Sequence, residues 1–429
     1  MPERRADALQ RLRSAHERAV LDELRRSGAL TRADLVSRVG LSRTTLSAIV
    51  ADLLAREVLV ERRTASEGLG ASAPDTEGQA AGPPAPGPEP LRGRGRPATT
   101  VSLNPRGAAL VGIGMLVDRL EIVVANHAHQ FVAGASRTWS PDLGPDERLA
   151  EVMEATQEVR RSGISLAAVE AVGLGLPGPV RDLTGQGDLA AAPAVTHLTT
   201  DLERHFGAVV RTDNNTRLAA LAEVTWGSAR GLSDILYLRW SHGVGGGIVI
   251  GGRLVRGAHG AAGEIGHTSR DPRGPACYCG GRGCLEGQAA LPALLAACRD
   301  RGVHPRDTGE LLALAAAGQP AVTQVLDEAA AAVGQVLAAL AAQTDPACVV
   351  VAGEPAGLDG VLRVIRRQLD ALSLPTARPR IPVRSSALGD DAAAQGAVAM
   401  LLREFGQAPD PLALPSPATG AAARTGAPA

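Results

Sequence analysis

The chain of 429 residues contains no lysine: all 44 of its basic side chains are arginine, set against 45 acidic ones. Without lysine there is no Schiff-base chemistry and no phosphate loop that reaches its nucleotide with an ammonium group. Aromatic residues are almost as scarce, at 2%, so the apolar 45% is carried mostly by Ala, Leu and Val. That share is ample for a large core. The sequence offers no apolar run of about 18 residues, which argues against a membrane span. Met1–Arg13 is charged and lacks the apolar stretch of a secretory signal. Five cysteines are odd in number and uneven in placement: Cys277, Cys279 and Cys284 fall within eight residues, whereas Cys298 and Cys348 stand alone. In a long chain without a secretory signal such a cluster reads as metal-binding before it reads as disulfide, and the expected location is cytoplasmic. Length predicts two or three domains.

A net charge of −1 would argue against a nucleic-acid partner if the charge were spread evenly, and it is not. Residues 1–63 carry thirteen Arg against nine acids, residues 64–91 carry four acids and no Arg, and residues 92–106 carry four Arg and no acid. The remaining 323 residues are left with about −5. A basic front is therefore joined to an acidic body. The run AAGPPAPGPEP cannot bury a core, so 64–98 reads as a disordered insert ending in a basic linker, and 406–429 as a disordered tail.

In the front, Glu17–Ser27 carries Val20, Leu21 and Leu24 on a helical spacing and stops at Gly28. Thr31 with Asp34 forms a capping-box pattern opening a short helix that ends at Val39, with Gly40 suited to the left-handed position beyond it. Ser42 can cap a third helix whose Leu46, Ile49, Val50 and Leu53 repeat at 3.6 residues. Two short helices joined by Gly40-Leu41-Ser42 fit a helix-turn-helix, whose second helix presents its first residues to base edges in the major groove. Those residues are Arg43, Thr44, Thr45 and Ser47, a bidentate guanine reader and three hydroxyls. Glu57–Arg63 and Thr99–Leu103 are expected as the two strands of a wing, with the insert at its tip. Arg94-Gly95-Arg96-Pro97 resembles an AT-hook core; its arginines suit a narrow minor groove, and a basic interdomain linker is the equal alternative.

The body alternates strand-like runs (Ala108–Ile113, Leu120–Ala125, Ala171–Leu176, Val209–Thr212, Ile235–Arg239, Gly247–Ile250, Cys348–Ala352) with helical ones (Leu149–Arg161, Arg217–Gly227, Val322–Ala342), the pattern of an α/β fold. No repeat of 20–50 residues is visible. His267, Cys277, Cys279 and Cys284 supply one imidazole and three thiols, a complete tetrahedral set for structural zinc, while Gly280, Gly281 and Gly283 allow the loop to close tightly. Cys298 and Cys348 read as core residues.

With these motifs assembled, the chain resembles the ROK family of bacterial sugar kinases and sugar-responsive repressors. The likeness runs through GRGRPATTVSLNP, GLGLPGPV at Gly173–Val180, DNNTRLAALAE at Asp213–Glu223, GVGGGIVIGGRLVRGAHGAAGEIGH at Gly243–His267, the cysteine loop, and LGDDAAAQGA at Leu388–Ala397. It implies an actin-like ATPase fold of two α/β lobes over 107–405, preceded by a winged helix-turn-helix in 1–63 with its returning strand at 99–103. It also implies that Glu264, His267 and Glu286 bind sugar hydroxyls, with Asn214 and Asn215 able to hydrogen-bond the same ligand. A family asparagine following proline is replaced here by Ala194.

The departures from the kinase pattern carry the functional expectation. Where the kinases have Asp-x-Gly-Gly-Thr, this chain has Gly114, then Leu116 and Val117 in place of the glycines and Asp118 in place of the threonine. Leu-Val fills the space where backbone amides would meet phosphate, and Asp118 repels it. The position of the catalytic base is Asn215, which cannot accept a proton near neutral pH, and losing such a base typically costs about 10²–10⁴-fold. The adenosine-side glycines become Ala352-Gly353-Glu354-Pro355, and His242 replaces a threonine of the second phosphate loop. The expectation is a non-enzymatic DNA-binding transcriptional regulator of carbohydrate-metabolism genes, a repressor, with no catalytic residues. It would bind a double-stranded operator as a homodimer or homotetramer and sense a sugar or sugar phosphate. A purely dimerising scaffold and an active sugar kinase are the rival readings.

Overall fold

Gly40 closes one helix and Ser42 opens the next, and these two positions set the geometry of the amino-terminal unit in the computed structural model. The structure describes residues 2–63, 99–140, 142–178, 193–358, 360–372 and 380–405. The insert and linker at 64–98, with Arg94 and Arg96, Pro179-Val180 of the GLGLPGPV motif, and the tail at 406–429 lie outside the described residues. The chain divides into two units, Met1–Gly107 and Ala108–Ala429.

The first unit contains α1 (Pro2–Ser27), β1 (Leu30–Thr31), α2 (Arg32–Val39), α3 (Arg43–Ala55), β2 (Leu59–Arg63) and β3 (Thr99–Leu103). The Thr31 hydroxyl accepts from the Asp34 amide at 3.2 Å and the Asp34 carboxylate accepts from the Thr31 amide at 3.3 Å, a reciprocal capping box. Gly40, at φ 72°, donates its amide to Val36 O; that left-handed backbone is costly for any side chain with a Cβ. The Ser42 hydroxyl accepts from the Thr45 amide at 3.1 Å. Val20, Leu24, Leu35, Leu46, Val50, Leu53, Val58 and Val101 are almost fully buried, so the three helices and the sheet β1-β3-β2 share one small core. All strand pairs in this sheet are antiparallel.

The second unit is built on two five-stranded sheets. The first holds β4 (Ala108–Met115), β5 (Arg119–Asn126), β6 (Phe131–Thr138), β7 (Ala171–Leu176) and β8 (Val209–Asn214). The second holds β9 (Ile235–Trp240), β10 (Val244–Ile250), β11 (Arg253–Leu254), β12 (Cys348–Ala352) and β13 (Val383–Ser385). Their orders are β6-β5-β4-β7-β8 and β11-β10-β9-β12-β13. In each sheet three antiparallel strands are followed by two parallel ones, so the unit is a structural duplication. The duplication leaves no short sequence repeat because the copies share hydrogen-bond topology over more than a hundred residues each, not side chains.

Helices α4 (Pro145–Arg161), α5 (Pro193–Phe206) and α6 (Asn215–Thr225) follow the first sheet's strands. The second sheet carries α7 (Glu286–Ala289), α8 (Leu291–Asp300), α9 (Thr308–Ala316), α10 (Pro320–Thr344) and α11 (Val361–Leu372), while α12 (Ala392–Glu404) returns to pack on β4 and β7 of the first sheet. The long α10 qualifies sequence expectation: by length and composition it would cross a membrane. Here its Val325, Leu326, Val333 and Leu337 are buried in the core of the second sheet.

Helices α6 and α12 pack against each other between the two sheets. A Cβ at Gly396 would meet Leu218 O at 1.8 Å, and one at Gly112 would meet Ala394 O at 2.0 Å. Glycine and alanine thus bring helix and strand backbones together.

Candidate functional site

The cysteine loop is shaped by its own backbone. A 3-10 turn at Ile265–His267 leads into bridges pairing Ser269 with Cys284 and Ala276 with Arg282. Gly283 has φ 60°, and a Cβ there would strike Asp271 O at 1.9 Å, so no other residue fits. This folding brings His267, Cys277, Cys279 and Cys284 together, their ligand atoms all within 4.8 Å of one another. His267 Nδ1 lies 3.7 Å from Cys277 Sγ, and Cys279 Sγ lies 3.7 Å from Cys284 Sγ. Sulfurs bonded to zinc at about 2.3 Å with tetrahedral angles stand about 3.8 Å apart, and a sulfur and a nitrogen about 3.6 Å. The donor set therefore fits a tetrahedral cation, and it is too wide for a disulfide. Burial pushes the Cys284 thiol up to about 12, with Cys279 adding to the rise, whereas the amide of Gly281 holds Cys279 below the usual thiol range. A buried thiolate at Cys284 requires a neighbouring positive charge, which a metal dication would supply.

Beside this cluster stand the acids of the motif. Glu264 is half-buried and its carboxyl is raised, first by burial and further by Glu286, with His267 and Arg217 opposing. Glu286 opens α7 and its Oε2 accepts from the Val244 amide at 2.8 Å, which ties it to the β9–β10 hairpin. Tyr278, between two of the cysteines, was not singled out by sequence. Its hydroxyl lies 3.4 Å from His267 Nε2, and burial and then the nearby Glu286 raise its pKa above the usual phenol range. The His267 ring thus has its Nδ1 toward Cys277 and its Nε2 toward the Tyr278 hydroxyl. The signal available in sequence was position alone, a lone aromatic inside a metal-binding loop.

Asn214 and Asn215 are placed differently. Asn214 Oδ1 caps α6, accepting from Thr216 N at 2.9 Å and Arg217 N at 3.0 Å, while its Nδ2 donates to Gly178 O at 2.7 Å. Asn215 Nδ2 donates to Met115 O at 2.8 Å and is buried. Both amides therefore have structural partners. Next to them is a network that sequence reasoning quoted without assigning: buried Arg217 pairs with buried Asp213 at 2.7 Å and donates to Gly260 O at 2.6 Å. Asp213 also accepts from Arg256 at 2.7 Å. These bonds hold the segment leading to Glu264. Asp and Arg four residues apart at a strand-to-helix junction were the available signal.

The equivalent of the phosphate loop is a tight turn between β4 and β5. Leu116 is buried, and its amide bonds Arg119 O at 2.7 Å. The Trp139 indole donates to Val117 O at 3.0 Å, closing the turn from above. Asp118 faces His242 of the second hairpin at 3.6 Å, and Arg119 is paired with Asp390. On β5, burial and then the nearby Asp391 raise the Glu121 carboxyl to about 8, against a hydrogen bond from Ser136. The turn is thus anchored by buried Leu116 and by Trp139 and edged by carboxyls.

In the first unit, Arg43, Thr44 and Ser47 are exposed on the first turns of α3, while Thr45 is half-buried and its hydroxyl pairs with that of Ser42 at 2.8 Å.

Comparison with known proteins adds the following. The ROK family profile matches residues 111–404. A protein of Caldicellulosiruptor sp. (strain Rt8B.4) named "Putative xylose repressor" is 27% identical over 339 residues, covering 74% of this chain and 84% of that protein. N-acetylmannosamine kinase of Escherichia coli O9:H4 is 33% identical over 174 residues, 38% of this chain and 60% of the kinase. Among solved structures, the ROK hexokinase of Thermus thermophilus is 32% identical with TM-score 0.58, covering 69% of this chain and 99% of its own. A ROK family transcriptional regulator, a homolog of the E. coli MLC protein, has TM-score 0.61 at 22% identity and covers 90% of this chain and 95% of its own. That last likeness is one of fold.

Proposed function

The chain belongs to the ROK family, with its actin-like α/β fold, and within that family we propose that it is a DNA-binding transcriptional repressor that senses a sugar and catalyses nothing. The observation that carries this reading is the β4–β5 turn, where buried Leu116 and the carboxylate of Asp118 occupy the place of a phosphate cradle. Asn215 supports it, since an amide donating to Met115 O cannot take a proton from a sugar hydroxyl. The proteins named as regulators match 74% and 90% of this chain, against 69% for the hexokinase and 38% for the N-acetylmannosamine kinase.

In this reading the first unit is a winged helix-turn-helix. Arg43, Thr44, Thr45 and Ser47 face an operator, with α3 in the major groove and β2–β3 as the wing. Arg94 and Arg96, outside the described residues, add cationic contacts. The second unit binds a sugar at Glu264, His267 and Glu286, and structural zinc on His267, Cys277, Cys279 and Cys284 fixes that wall. Ligand acts by favouring one arrangement of a homodimer or homotetramer, and with it one spacing of the recognition helices. The protein works in the cytoplasm, where its DNA is.

The test is binding to genomic fragments recovered by genome-wide mapping of the full-length protein. Arg43→Ala should weaken operator binding by about 1–3 kcal/mol and relax base preference at one position. Unchanged affinity for a mapped operator, or sugar-dependent ADP release by the wild-type protein, would overturn the proposal.

A further inference from the structure

Next to the expected sugar wall, and bordered on one side by Cys277 and Cys284 of the cysteine loop, lies a cavity of about 310 Å³ whose lining includes His242, Tyr278, Glu286, Gln288, Pro292 and Ala293. We propose that this cavity is a second saccharide subsite, and that the effector is a neutral saccharide of at least two linked units. The proposal rests on the sugar-sensing reading above and goes beyond it in naming the ligand class.

Three observations carry it. The first is the lining, which combines an aromatic face and apolar Pro292 and Ala293 with polar groups along one edge, as a pyranose with its C–H faces and equatorial hydroxyls requires. Tyr278 is 82% exposed, while the other seven aromatic side chains of the chain are buried or half-buried. In a protein that hides its other aromatics, this ring is held in the open at a cavity wall. The second is His242, a polar residue of the lining whose Nδ1 is held toward the Asp118 carboxylate at 3.6 Å. The third is charge. Among the described residues no arginine lines the cavity, Glu286 does, and Asp118 stands 3.6 Å from His242. A phosphorylated sugar would bring its dianion among these carboxylates, so charge favours a neutral ligand.

Glu286 joins the two subsites: it takes part in the wall with Glu264 and also lines the cavity. Tyr278 stands at the junction, its hydroxyl between His267 Nε2 and Glu286 and its ring on the cavity. One sugar unit at the Glu264 wall therefore places its glycosidic substituent against Tyr278.

Isothermal calorimetry on the full-length, metal-replete protein tests this with xylose, glucose and N-acetylglucosamine, their β-linked disaccharides, and glucose 6-phosphate. At least one disaccharide should bind tenfold or more tightly than its monosaccharide, and the phosphate ester more weakly than glucose. Ala293→Trp, which fills the cavity from α8, should remove the disaccharide advantage while leaving monosaccharide affinity within about threefold; Gln288→Ala should reduce the advantage and provides a milder variant if the tryptophan perturbs folding. Monosaccharides binding as well as every disaccharide, or tightest binding by the phosphate, would overturn the second subsite and leave sugar sensing intact. Absence of binding by any sugar would overturn both.

Discussion

The hairpins β4–β5 and β9–β10 hold equivalent places in the two duplicated sheets, and they have diverged in opposite directions. The first turn, Leu116 to Asp118, is plugged by an apolar side chain and roofed by Trp139. The second turn, Ser241 to Gly243, stays lean: its glycine lies against Glu286, and the following Val244 amide donates to that carboxylate. In the function proposed above, one copy of the motif has lost the backbone surface a phosphate needs, and the other has been drawn into the wall of a ligand site. Phosphate transfer and ligand recognition would then sit on separate elements, so that one could decay while the other is kept.

The largest test of that contrast removes a proposed metal ligand from the second side. Cys284→Ser should abolish metal binding in elemental analysis of freshly reduced protein and lower the thermal midpoint sharply, because structural metal free energy is folding free energy. Sugar binding should vanish with it, whereas the β4–β5 side, whose packing is apolar, should keep its hydrogen-exchange protection. Equal loss of protection in both sheets would erase the distinction.

A smaller effect is expected from the buried network behind the wall. Asp213→Ala leaves Arg217 buried without its partner, at a cost of about 3–5 kcal/mol, read from urea unfolding. The segment from Arg256 to Glu264 should then become sensitive to protease. A loss below about 1 kcal/mol would mean that the network does not position this segment.

The smallest change concerns Asn214. Its side-chain oxygen caps α6, so Asn214→Ala should cost about 1 kcal/mol of stability and alter sugar affinity by less than threefold. A tenfold loss of affinity at unchanged stability would instead put Asn214 in direct contact with ligand, and would sharpen the boundary between scaffold and site.

Much of the architecture was legible in particular residues. Thr31 and Asp34, Gly40 and Ser42 marked the starts and the stop of α2 and α3, because a cap is a bond between residues three or four apart. The core strands of both sheets were legible as continuous apolar runs. Boundaries slipped where the end of an element is polar: β8 runs on to Asn214, and α6 begins at Asn215, inside a motif that read as site chemistry. The edge strand β6 was missed because its Phe131–Thr138 alternates weakly and is half-exposed.

What the sequence by itself determined is local and compositional: the caps, the α/β alternation, the basic front joined to an acidic body, and four metal-type donors close enough along the chain for one loop to gather. Only the tertiary structure decided which side chains remain available for a ligand. Asn215 meets Met115 across a hundred residues, Arg217 meets Gly260 across forty-three, and Tyr278 comes to rest over His267 beside a cavity. Such partners are chosen by sheet pairing and helix packing. A polar side chain of given type can cap, brace or bind, and only the atoms brought to it by the fold decide among the three.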